Sequence, residues 1–226
     1  MRFLMAEELR AIRILDALRN EYPNSGRTIL HFRSPLELLI ATVLSAQCTD
    51  EKVNEVTGVL FKKYKTAEDF AEADENDLRR IIRPTGFYIV KSRRVKEICQ
   101  TLVKEYDSRV PRSMKDLLTL KGVARKTANI VLTNAYGVVE GIAVDTHVMR
   151  LSKRLALSVK KDRDKIEQDL MKLIPKERWS EVNSLLVEHG RRVCKGRKPF
   201  CIDCVIRELC PSAEVFLKEG RNGEIP

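Results

Sequence analysis

No stretch of the chain sustains an alternation of apolar and polar residues, whereas apolar positions three and four apart recur almost throughout, which predicts helices and no sheet. Ser34-Pro35-Leu36-Glu37 combines a capping serine, a proline at the first helical position and a carboxylate three residues on, and it precedes the apolar run Leu38 to Leu44. Thr66 with Asp69, Asp74 with Asp77, and Ser113 with Asp116 repeat the pairing of a cap with a carboxylate. From Ile89 to Tyr106, Val90, Val95, Ile98, Leu102 and Val103 are read as one face of a long helix. A further helix is predicted over Gly122 to Tyr136 with Gly137 as its stop, and others over Asp145 to Leu155, Asp162 to Ile174 and Lys176 to Arg192. Prolines and glycines are sparse (8 and 10), no repeat stands out, and no low-complexity linker divides the chain. The polar end, Lys218 to Pro226, is expected to fray. The fold class is therefore all-α.

At 226 residues the chain is long enough to bury roughly 70% of its unfolded surface without staples. It has no apolar run near the ~20 residues of a membrane span, and Glu7 and Glu8 interrupt the N-terminus too early for a signal peptide. A cytoplasmic, nucleoid-associated monomer with no membrane partner is expected. Forty-two Lys and Arg against 32 Asp and Glu give a net charge of +10, which points to a polyanionic partner, nucleic acid first.

Three groups of residues carry candidate chemistry. Four of the six cysteines form Cys194-x6-Cys201-x2-Cys204-x5-Cys210. Disulfides suit a basic, leaderless chain poorly, and the spacing alone leaves zinc and an iron–sulfur cluster both open. Cys48 and Cys99 lie in apolar contexts and read as small buried side chains. Lys195, Arg197 and Lys198 fill the first interval of the array without an acid, as a pinned loop touching phosphates would. Leu120-Lys121-Gly122-Val123-Ala124-Arg125-Lys126 reads as a tight turn feeding a helix whose free N–H groups suit a phosphate, with Arg125 and Lys126 adding charge. Asp145 stands where a helix begins, as a cap or as a reactive carboxylate, and His147 follows as a surface or phosphate-contacting residue.

Taken in order, Pro35 to Gln47 with Thr49-Asp50, Leu120 to Asn129, Val144-Asp-Thr-His147 and the cysteine spacing resemble the endonuclease III family of DNA glycosylases, over about residues 28 to 210. The resemblance implies a two-lobed helix-hairpin-helix fold. Residues 28–139 would form a six-helix barrel; residues 1–27 and 140–226 would form a lobe holding a [4Fe–4S] cluster on Cys194, Cys201, Cys204 and Cys210, with the active-site cleft between the lobes. It further implies a bifunctional glycosylase and abasic-site lyase acting on double-stranded DNA that carries damaged bases or abasic sites. Lys126 would be the nucleophile and Asp145 its acidic partner. Gln47 would fill the gap left by an extruded base, and Phe87 would wedge from the opposite side, against the alternative of a core aromatic. Lys121, Gly122, Val123, Ala124, Arg125, His147, Lys195, Arg197 and Lys198 would meet the DNA.

Two positions depart from the family's Leu-Pro-Gly-Val-Gly hairpin. Lys121 replaces the proline and Ala124 the second glycine, which predicts a softer turn and strain wherever positive φ is demanded, offset in part by the added cation. Adenine-specific mismatch relatives place a glutamate where Thr42 stands, and thymine-mismatch relatives lack the lysine, so Lys126 favours the bifunctional branch over a mismatch-specific one. The readings set against it are a non-catalytic DNA-binding protein and a zinc-stabilised adaptor.

Overall fold

The computed structural model describes residues 2–26 and 28–218; the expectation for the tail lies, from residue 219 on, outside the described residues. Among the described residues there is no strand. The chain divides into two compact units, Thr28–Glu140, and Met1–Arg27 with Gly141–Pro226.

The first unit is organised by α2 (Pro35–Leu44), which is apolar on every side and buried from Leu38 through Leu44. A helix with no polar face has to be wrapped by others. It packs against α3 (Asp50–Lys63), α6 (Tyr88–Glu105) and α8 (Arg125–Val131). The short helices α4 (Ala67–Glu72), α5 (Glu75–Ile82) and α7 (Met114–Leu117) complete the unit, α4 and α5 lying against α6. The caps do the expected local work. Ser34 Oγ accepts from the Glu37 N–H at 3.2 Å. Thr66 and Asp69 each accept from the other's backbone N–H, and Asp74 and Ser113 accept three residues on. Each such cap is worth about 1 kcal/mol.

Two expectations are corrected here. On α6 the buried stripe is Lys91, Ser92, Val95, Ile98, Cys99 and Leu102, while Val90 and Val103 face outward, because helical rotation carries both away from that stripe. The segment predicted as one helix from Gly122 begins only at Arg125. Gly122 is left-handed (φ 84°) and Ala124 extended, so three residues turn the chain before it coils. At its far end α8 widens into a π-turn over Leu132–Tyr136, and Gly137 (φ 66°) stops it as expected.

In the second unit, α1 (Arg2–Glu21) joins α9 (Thr146–Arg154), α10 (Arg163–Leu173), α11 (Trp179–Arg192) and α12 (Ala213–Lys218). Ile14, Leu15 and Leu18 of α1 share one core with Leu151, Leu170, Leu185 and Leu186. Each such side chain contributes about 1.5–3 kcal/mol by burial, and together they tie the two ends of the chain into one body.

Candidate functional site

The turn Leu120–Ala124 presents the first candidate chemistry. Gly122 needs to be glycine twice over: its φ is positive, and a Cβ there would fall 2.3 Å from Arg94 Nε, so the guanidinium lies against the turn backbone. Ala124 has φ −92°, an ordinary extended value, so the strain expected for alanine does not arise. Lys121 Nζ donates to Glu97 Oε1 at 2.8 Å, which holds the Glu97 carboxyl below its usual range; Arg94 reaches Glu97 at 3.6 Å. Part of the charge expected from Lys121 is thus balanced, and Arg94, which the motif did not single out, stands beside it. Val123 is buried and anchors the turn, Arg125 and Lys126 open α8 half-buried, and the Ala124 N-cap supplies no side-chain bond to that first turn.

Gln47 and Phe87 share an unusual feature. Both are exposed and both are left-handed without being glycine, φ 54° and 48°. Phe87 is 63% exposed, which removes the core-aromatic reading. Left-handed backbone costs a residue with a Cβ about 1–2 kcal/mol, so such residues persist only where their surroundings fix them. One side chain joins the two turns: Lys91 Nζ donates to Leu44 O and to Thr85 O, both at 2.7 Å. Thr42 bonds back to Leu38 O within its own helix, 2.8 Å away, and Cys99 is buried in the core as expected, while Cys48 is half-buried against it.

In the other unit, Asp145 caps α9, its Oδ1 accepting from the Val148 N–H at 2.8 Å, after the buried segment Ile142–Val144. Lys126 therefore belongs to one compact unit and Asp145 to the other. His147 packs where α11 has Gly190; a Cβ on that glycine would sit 2.8 Å from His147 Nδ1. The same nitrogen lies 3.1 Å from Arg150 Nη2.

The four cysteines line one cavity that opens to solvent and is walled by apolar side chains such as Leu151, Leu155 and Ile206. Among the described residues, no three His, Cys, Asp or Glu side chains converge as a single-ion site. Burial raises the Cys201, Cys204 and Cys210 thiols, Cys204 to about 12, and the neighbouring sulfurs push in the same direction. Those three raised thiols hold their protons until a cation displaces them, as metal-donor thiols do.

Two arginines of α9 organise the adjoining loop. Arg150 donates to Gly190 O and Cys194 O. Arg154 donates to Cys194 Sγ at 3.2 Å, Lys195 O at 2.7 Å and Gly196 O at 2.8 Å. Lys195, Arg197 and Lys198 stay exposed on the loop so fixed. On the wall of the same cavity, His189 is 1% exposed, and burial lowers its pKa to about 4, so it is neutral. Its two ring nitrogens are both partnered, Nδ1 with the Tyr22 hydroxyl at 2.9 Å and Nε2 with Cys204 Sγ at 3.4 Å. Arg94, Lys91, Arg154 and His189 all escaped the sequence reading, because Gly122, Leu44, Lys195 and Tyr22, the partners that give them their places, lie tens of residues away.

Comparison with known proteins places this arrangement. The chain belongs to the HhH-GPD superfamily of base excision DNA repair proteins, whose profile matches residues 40–176. More narrowly, it is 46% identical to Endonuclease III of Synechocystis sp. over 95% of this chain and 97% of that protein. It is 37% identical to Endonuclease III of Escherichia coli over 91% and 96% respectively. A solved structure of a trapped Endonuclease III–DNA covalent intermediate superposes with a TM-score of 0.88 at 41% identity, covering 93% of this chain and 98% of that one. A thermostable thymine-DNA glycosylase shares the fold at a TM-score of 0.80 and 24% identity.

Proposed function

We propose that this base excision DNA glycosylase and abasic-site lyase removes oxidised pyrimidines from duplex DNA through a covalent lysine intermediate. The observation that carries the reading is Lys126, an amine standing half-buried on the first turn of the helix that the turn Leu120–Ala124 introduces. The relative whose covalent DNA intermediate was trapped supports a nucleophile of this kind.

A base inside a duplex is out of reach, so it is first extruded at an unstacking cost of a few kcal/mol. Gln47 fills the space it leaves, and Phe87 wedges between neighbouring bases, roles that exposed side chains on fixed turns can perform. The hairpin Lys121–Arg125 grips backbone phosphate through the N–H groups of the helix start and its cations, and His147 and the loop cations Lys195, Arg197 and Lys198 also take phosphate contacts. The Lys126 nitrogen then gives its lone pair to C1′ of the sugar as the C1′–base bond breaks; the base leaves with the bonding pair and takes up the proton that the new C–N ammonium sheds. Opening of the sugar ring gives an iminium, loss of the C2′ proton expels the 3′ phosphate, and hydrolysis frees the lysine. Asp145 steadies the positive charge that grows on the sugar and relays protons.

The donor set, four thiols lining one apolar-walled cavity, fits a [4Fe–4S] cluster held by Cys194, Cys201, Cys204 and Cys210. When bound, the cluster supplies a structural pin for the basic loop. Iron and acid-labile sulfide in equal amounts in the purified protein are expected; zinc in their place would contradict this part.

The experiment that tests the function is a panel of duplexes with one lesion each, scored separately for base release and strand scission. Thymine glycol is expected to give both products. Release confined to adenine or thymine mismatches, or base release without scission, would contradict the proposal.

A further inference from the structure

We propose that Lys91 is a positioning residue, a buried ammonium that fixes the turn bearing Gln47 against the turn bearing Phe87 so that both enter a duplex together. The proposal rests on the filler and wedge roles given above to those two residues.

Lys91 lies on the first turn of α6 and is 5% exposed, a rare place for a lysine, and burial lowers its pKa. Its Nζ donates to Leu44 O, at the last residue of α2, and to Thr85 O, at the last residue of the 3₁₀ turn Arg83–Thr85, both at 2.7 Å. Gln47 follows the first carbonyl by three residues, and Phe87 follows the second by two. Leu44 O is among the carbonyls that a helix C-terminus leaves without intrahelical partners, and a cation there also meets the negative end of the helix dipole. A helix end alone would be served by water or an exposed lysine. One nitrogen shared by two separate turns does something else: it sets the distance between them. Both turns hold a left-handed residue with a Cβ, the condition that needs outside support. A side chain misplaced by about 1 Å can cost a reaction about 100-fold, so this spacing matters to any step that needs both prongs at once.

The test uses the full chain carrying Lys91→Met and, separately, Lys91→Arg, with Gln47→Ala and Phe87→Ala as references. Hydrogen exchange reads the clamp directly. In Lys91→Met, amides of residues 44–48 and 85–88 are expected to exchange faster together, with the rest of α2 and α6 unchanged. Base release from a thymine glycol duplex should fall about 100-fold, while scission of an abasic site in single-stranded DNA, which needs no extrusion, should change less than about twofold. Lys91→Arg keeps donors for both carbonyls and is expected within about threefold of the parent on duplex; it also carries the test if the methionine variant does not fold. Faster exchange in one segment only, equal losses on duplex and single strand, or a folded Lys91→Arg as impaired as Lys91→Met would each overturn the proposal. Undiminished duplex activity in Gln47→Ala and Phe87→Ala would instead overturn the filler and wedge roles, while the exchange data still decide the clamp.

Discussion

In the unit Thr28–Glu140 the residues proposed to meet DNA stand on short turns above a continuous apolar core, and Gln47, Phe87 and Gly122 all hold left-handed backbone there. In the unit formed by Met1–Arg27 and Gly141–Pro226 the cations proposed to meet DNA ride on a loop beside a cavity lined by four thiols, and two arginines grip its backbone. The first unit keeps its working surface in shape by close packing, with Lys91 as its one buried ammonium. The second takes its order from polar ties: Arg150 and Arg154 on the loop, Tyr22 and His189 behind it, and the thiols themselves. A packed core transmits strain locally, whereas a loop pinned by ligands loses its shape all at once when a ligand goes. The two units should therefore fail differently.

The largest expected effect comes from Cys204→Ser. Losing one donor should cost the second unit more than about 4 kcal/mol, seen as loss of bound iron and fast hydrogen exchange over 141–218, with 28–140 still protected. Uniform loss of protection across both units would break the contrast. Phe70→Ala is the mirror experiment. Phe70 is fully buried in the first core, and its truncation should cost about 3–5 kcal/mol, lowering the melting temperature while iron content stays at the parent level.

Acid should weaken the second unit next. His189 in the folded protein titrates near 4, below its ordinary 6.5, so on acidification the unfolded chain takes up this proton first. Stability is complete above pH 6.5 and declines as pH falls toward 4, by about 3 kcal/mol at the lower end. His189→Gln should flatten that part of the denaturation profile measured at pH 7, 6, 5 and 4; an unchanged slope would contradict a neutral buried imidazole. The smallest effect is on the loop surface. Replacing Lys195, Arg197 and Lys198 together by alanine should leave melting unchanged and reduce the salt dependence of DNA affinity, the slope of log K against log salt, by about 2 to 3. An unaltered slope would remove these cations from the interface.

Local chemistry was the legible part of this chain. The caps at Ser34, Thr66, Asp74 and Ser113 announce helix starts because a cap and the N–H it satisfies lie within three residues. The hairpin around Gly122 and the cysteine spacing are likewise compact in sequence. The two valines of α6 show where this reading stops: Val90 and Val103 fit an apolar list, but only the turn of the helix decides which residues face inward. Ala124 was expected to strain and does not, since the turn places its positive φ at Gly122 alone. The polar ties were invisible for a simpler reason. Lys91 reaches 47 residues back to Leu44, Arg154 41 residues on to Lys195, and Tyr22 167 residues on to His189, and no spacing rule links such partners. Asp145 was legible as a cap and as a candidate acid alike, and its Oδ1 bond to Val148 shows the first role without weighing on the second.

The account turns on one amine acting as a nucleophile. Incubating the protein with a thymine glycol duplex in the presence of borohydride should reduce the iminium and leave a covalent protein–DNA adduct. Lys126→Ala should bind the same DNA and form no adduct. An adduct of undiminished yield from Lys126→Ala, or none from the unaltered protein, would contradict the assignment of Lys126.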